Sequence, residues 1–143
     1  MKTIGLRRTF DSAHRLPRHT GKCHNLHGHT YIVEVTVTGE VCVDGGMILD
    51  FYLLGKAFEQ VLSRYDHATV LASFDPLVKL LQDGAADCCI LIMEREPTVE
   101  NMIDQLGSEL SLALEGQGVK LCTIRIYETP NCWAEKTFTR ENE

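Results

Sequence analysis

The sequence predicts an α+β domain, an antiparallel β-sheet backed by helices on one face. Three observations lead there. Two runs near the N-terminus alternate apolar and polar residues with period two, two later runs carry apolar stripes at a period of 3.6, and extended apolar runs follow near the C-terminus. The order is strand, strand, helix, helix, strand, strand, with a short extra helix and strand before the second long helix. At 143 residues the chain has the length of one domain, expected over residues 1–143.

In the first strand Ile4, Leu6 and Phe10 share a face with Ser12 and His14, while Thr3, Arg7 and Thr9 occupy the other. His14 ends the inward row. A polar stretch from Leu16 to Leu26, containing Pro17 and Gly21, reads as a loop. The second strand puts His27, His29, Tyr31, Val33, Val35 and Val37 on one side and Thr30, Glu34, Thr36 and Thr38 on the other. Glu40 to Gly46 reads as a turn and Met47-Ile48-Leu49 as a short extended piece. Asp50 is an N-cap for a helix with Phe51, Leu54, Phe58, Val61, Leu62 and Tyr65 on one stripe, ending at Asp66-His67.

Asp75-Pro76 opens a shorter helix with Leu77, Leu80 and Leu81, closing near Gly84. Cys88 to Met93 is a short apolar strand. Thr98 caps a long helix whose apolar positions Val99, Met102, Ile103, Leu106, Leu110, Ala113 and Leu114 run to Gly116. The next strand aligns Cys122, Ile124, Ile126 and Glu128 on one face, so that Glu128 ends an apolar row as His14 does. Cys132 to Phe138 forms the last strand.

The chemistry concentrates in Cys23-His24-Asn25-Leu26-His27-Gly28-His29. In an extended segment His27 and His29 project to one side, about 7 Å apart along the strand, and His14 ends a second inward row. Three imidazoles with one open position describe a catalytic zinc site. Such a metal lowers the pKa of a coordinated hydroxyl or polarises a carbonyl. Lys22 lies beside Cys23 and favours its thiolate, which can act as base or nucleophile; Cys23 as a fourth ligand would instead close the site as a structural one. Asp66 can orient His67 for proton transfer. Glu128 can accept two hydrogen bonds from a planar N–H/NH2 edge.

Composition narrows the function class. The formal charge is −6, yet residues 1–30 hold Lys2, Arg7, Arg8, Arg15, Arg18 and Lys22 against Asp11 alone, with five of the six histidines. A basic segment around a metal site favours a small anionic substrate, and the acidic remainder argues against nucleic acid as a partner. No secretory signal or membrane span is evident, which predicts a cytoplasmic protein. The six scattered cysteines read as free thiols. Thr- and Val-rich sheet edges predict a symmetric homo-oligomer.

Phe10-Asp11-Ser12-Ala13-His14-Arg15-Leu16, Cys23-x3-His27-Gly28-His29-Thr30-Tyr31, Gly46-Met47-Ile48-Leu49-Asp50-Phe51, Asp66-His67, Pro97-Thr98-Val99-Glu100-Asn101 and Tyr127-Glu128-Thr129, in this order, resemble the motif series of the 6-pyruvoyltetrahydropterin synthase family. The resemblance implies the tunnelling fold, with sheet edges paired into barrels and trimers stacked into a hexamer. It implies that His14, His27 and His29 hold one zinc ion per subunit and that Cys23 is the proton-abstracting thiol. Asp66 and His67 would form a proton relay reaching the thiol across a subunit interface. Glu128 would anchor the pterin, with Thr98 and Glu100 lining its pocket; charge and position suggest Lys22, Arg15 and Arg18 for the phosphates.

The implied substrate is 7,8-dihydroneopterin triphosphate. The Pro-Thr-x-Glu-Asn segment and the Cys-x3-His-Gly-His spacing resemble the branch that makes 6-carboxy-5,6,7,8-tetrahydropterin for queuosine and other deazapurines, releasing acetaldehyde and triphosphate. The alternative branch makes 6-pyruvoyltetrahydropterin. A reading of another class is a catalytically silent, zinc-stabilised oligomer that binds a pterin or purine. The chain departs from the family pattern in Tyr65, where leucine commonly precedes the Asp-His pair, and in the long stretch 68–96.

Overall fold

The computed structural model describes residues 1–138. Its strands are β1 (Lys2–His14), β2 (His27–Gly39), β3 (Ala68–Ala72), β4 (Ile90–Met93), β5 (Val119–Thr129) and β6 (Cys132–Thr137), and its helices are α1 (Phe51–Leu62), α2 (Pro76–Gly84) and α3 (Val99–Ala113). One sheet runs in the order β4-β3-β1-β2-β5-β6. The expected α+β architecture is present, but the sheet is mixed: β3 runs parallel to β1, and β4 parallel to β3. The sequence reading has no strand at Ala68–Ala72. Ala68, Val70, Leu71 and Ala72 are all buried, so the segment lacks the alternation of a half-exposed strand and has the near-continuous apolar character of a parallel one. Residues 68–93 thus form a strand, helix and parallel strand built onto the edge of β1.

The β1–β2 ladder sets the site. It is in register from Lys2↔Gly39 to His14↔His27, so the inward rows of both strands meet side by side. Phe10 stacks on Tyr31 with ring centroids 4.8 Å apart, and Tyr65 closes on Phe10 at 5.7 Å. Above them α1 buries Leu54, Phe58, Val61 and Leu62, and α3 buries Met102, Ile103, Leu106 and Leu110. Phe51, expected on the α1 stripe, is exposed at the first turn. The core therefore runs from the Val37 end of β2 to Tyr31 and gives way there to histidines.

The caps follow the sequence. The side chains of Asp50, Asp75 and Thr98 accept from the backbone N–H of Tyr52, Leu77 and Asn101 at the starts of α1, α2 and α3. α2 buries none of its residues, leaving Leu80 exposed. In β5 a register shift pairs Thr123 with Thr36 but Leu121 with Val37. The extra residue, Cys122, is only half-buried while Leu121 takes the core position, which corrects the expected face for Cys122. Beyond the bulge Ile124 and Ile126 are buried, and Glu128, half-buried where the β5–β6 ladder shifts register, lies on the side of His29.

Candidate metal centre and its surroundings

Cross-strand pairing places His14 opposite His27 and Ser12 opposite His29. The three imidazoles consequently meet at one end of the sheet, with centroids 4.7, 5.2 and 4.9 Å apart. One ring nitrogen from each lies within 4.8 Å of the others. His14 Nδ1 lies 2.8 Å from the Pro97 carbonyl and His27 Nδ1 lies 2.7 Å from that of Asn25. An Nδ1–H donating to each carbonyl leaves Nε2 with its lone pair free for a metal. His14 Nε2 and His29 Nε2 are buried and, among the described residues, without a hydrogen-bond partner. Orphaned, convergent nitrogens of this kind fit a divalent cation such as zinc.

Burial disfavours the charged form of two of these imidazoles, His14 and His29. Burial depresses the His14 pKa, opposed by the Pro97 carbonyl and Glu128 and assisted by the other two imidazoles. His29 is lowered for the same leading reason, again opposed by Glu128. Glu128 Oε1 lies 3.7 Å from His29 Nε2, so the expected carboxylate does sit beside the imidazoles. Thr98 caps α3 through its hydroxyl, and the preceding Pro97 carbonyl fixes His14. Glu100 is exposed in the first turn of α3.

Cys23 belongs to a 3-10 turn, Lys22–His24, in which its carbonyl accepts from the Leu16 N–H at 2.8 Å. Its thiol is free and half-buried. Among the described residues, the group able to share one ion comprises the three histidines without Cys23, an arrangement that favours an open coordination position.

The other basic candidates diverge. Arg18 lays its guanidinium 4.1 Å over the Phe74 ring while its backbone N–H donates to Glu96, and Lys22 is exposed. Arg15 is engaged elsewhere: its guanidinium forks onto both oxygens of Asp75, with Nε at 2.7 Å. This geometry argues against Arg15 as a free phosphate ligand.

The Asp66–His67 pair lies in the turn between α1 and β3. Asp66 Oδ1 accepts from the Asp11 N–H at 2.9 Å, and Oδ2 sits 3.1 Å from His67 Nδ1. The Asp11 bond, ahead of the His67 contact, holds the Asp66 pKa below the usual carboxylate range. His67 has φ 59°, uncommon for a residue with a side chain, and its N–H donates to the Asp11 carbonyl. Its imidazole is 79 % exposed over an open groove shared with Asp11, Gly28, His29, Thr30 and Thr69. Asp11 lies three residues from His14, about 10 Å along the strand.

Four contributors escaped the sequence reading: the Pro97 and Asn25 carbonyls, Asp75, and the buried Tyr31 hydroxyl. Carbonyls leave no sequence signal. Asp75 was legible only as a helix cap, because its partner lies 60 residues away.

Fold and site together define an α+β domain with a cluster of three histidines, able to hold a metal ion, at one end of a curled sheet. The family model described as 6-pyruvoyl tetrahydropterin synthase matches residues 3–138. The chain is 31% identical over 128 residues to the 6-carboxy-5,6,7,8-tetrahydropterin synthase of Rickettsia felis, covering 88% of this chain and 93% of that protein. It is 32% identical over 121 residues to the protein of the same name from Aquifex aeolicus, covering 80% and 75%. Among solved structures, the 6-pyruvoyl tetrahydropterin synthase of Caenorhabditis elegans superposes with a TM-score of 0.69 at 25% identity, covering 97% of this chain and 98% of the other. The chain belongs to the 6-pyruvoyl tetrahydropterin synthase family.

Proposed function

We propose that this protein is a zinc-dependent 6-carboxy-5,6,7,8-tetrahydropterin synthase. It would convert 7,8-dihydroneopterin triphosphate to 6-carboxytetrahydropterin, releasing acetaldehyde and triphosphate, in a cytoplasmic route to queuosine-type deazapurines. The observation that carries the reading is the convergence of three imidazoles, one buried and two half-buried, on one point in a chain whose curated relatives bear that name. Zinc held by His14, His27 and His29 would supply Lewis acidity toward the substrate side-chain oxygens.

The remaining work falls to the chain's own groups. Cys23, as thiolate, takes a proton from the substrate side chain. Glu128 accepts hydrogen bonds from the amino-pyrimidinone edge and fixes the ring over the imidazoles. Thr98 and Glu100 flank that ring, and Lys22 and Arg18 attract the triphosphate. Asp66 orients His67 to pass the proton on. The pair projects from the surface of its own subunit, so it serves a neighbour's thiol in a hexamer built through sheet edges.

The family description and the Caenorhabditis elegans structure favour a second reading, 6-pyruvoyl product formation. Incubation with 7,8-dihydroneopterin triphosphate separates the two, since acetaldehyde forms only in the first. Cys23→Ala is expected to lose at least about 100-fold in turnover while keeping one zinc per chain by elemental analysis, and His27→Ala to lose the metal. Pterin binding without turnover in the wild type, with the same affinity in Cys23→Ala, would support a silent binding oligomer.

A further inference from the structure

Three consecutive residues leave the end of β1 for three different anchors. His14 reaches the Pro97 carbonyl at the start of α3. Arg15 forks onto Asp75 at the start of α2. Leu16 donates its N–H to the Cys23 carbonyl. The pairings of β1 with β2 and with β3 both end at His14, so among the described residues no ladder holds the chain beyond it. Between a metal ligand and the turn that carries the thiol, Arg15 is the link.

That link is built for fixed geometry. The Asp75 side chain is fully buried and that of Arg15 is 20% exposed. Asp75 also accepts from the Leu77 N–H at 2.8 Å, and its own N–H donates to the Ala72 carbonyl. A carboxylate with no exposure carries a large desolvation cost unless its partners are well aligned, and the bidentate guanidinium fork supplies direction as well as charge. A lysine offers a point charge without the fork.

We propose that the Arg15–Asp75 pair is a positioning clamp that sets His14 relative to the Cys23 turn, tuning metal affinity and thiol placement rather than binding phosphate. The proposal rests on the metal site described above. It also gives the stretch 68–96 a role at the site, because β3 and α2 together present Asp75.

The test uses the full chain as Asp75→Asn and Arg15→Lys, with Lys79→Ala, which opens an exposed pair with Asp83, as control. Asparagine still accepts the Leu77 N–H, so the α2 cap survives. At a temperature where circular dichroism shows full folding, Co(II) affinity and the d–d absorption are recorded on metal-stripped protein. Iodoacetamide labelling of Cys23 is followed by peptide mass mapping. Each clamp variant should bind Co(II) about tenfold more weakly, with an altered d–d spectrum and a changed Cys23 labelling rate, while the control matches wild type. Arg15→Lys keeps charge and stem and decides the matter should Asp75→Asn not fold. Folded variants with wild-type affinity, spectrum and labelling overturn the clamp alone. Wild-type protein that binds no Co(II) overturns the metal reading and the clamp with it.

Discussion

Tyr31 shows how closely core and site adjoin. Its ring is fully buried, stacked on Phe10 and edge-on to His14 and His29 at 5.9 and 5.5 Å. Among the described residues its hydroxyl has no hydrogen-bond partner. Burial, with Glu128 as a smaller contributor, raises the phenol far above the ordinary tyrosine range, so it stays protonated and serves only as a neutral donor. An unsatisfied buried hydroxyl costs about 1–3 kcal/mol. Tyr31→Phe should therefore leave stability unchanged or raise it by about 1 kcal/mol in urea denaturation. A loss of more than that would mean that the hydroxyl already has a partner in the free protein.

At the scale of elements, α2 is held more by its first residue than by its packing. It buries no side chain, while Asp75 at its N-cap is fully enclosed and paired with Arg15. The Arg15 fork, with the Leu77 N–H assisting and burial opposing, keeps the Asp75 carboxyl below its ordinary 3.8. A group depressed in the folded state contributes stability that is complete above its unfolded value and fades as pH falls through its folded value. Thermal melts should accordingly show an acid limb beginning below about pH 4. Asp75→Asn should flatten that limb and cost about 3 kcal/mol at neutral pH. An unchanged limb would mean that the pair adds nothing to folding.

For the whole molecule, the open edges of the sheet are β4 and β6. Ile92 on β4 is 43% exposed and Trp133 on β6 is 51% exposed, a surface suited to strand addition. Light scattering should give a mass near six times the 16.1 kDa chain. Ile92→Lys, a charge on the edge, should lower that mass and the turnover together. Metal content per chain should persist, since all three imidazoles come from one chain. A monomeric wild type with full turnover would remove the cross-subunit role of Asp66 and His67.

The inward rows of β1 and β2, the apolar stripes of α1 and α3 and the caps of all three helices were legible in the sequence, because periodicity and cap chemistry are local properties. So was the histidine set, since His14, His27 and His29 each end or extend an apolar row and alternation sends such side chains inward. The parallel strand β3 was not legible, because burial on both faces erases alternation, and neither was the Cys122 bulge, which depends on the register of a partner strand. Arg15 shows the limit most clearly. By sequence it was one more cation in a basic loop; by fold it is joined to a carboxylate 60 residues away. The sequence alone determined which residues of β1 and β2 turn inward, since chirality and period dictate that. Only the tertiary structure decided which of them meet, because register, burial and the closure of distant segments set each side chain's partner.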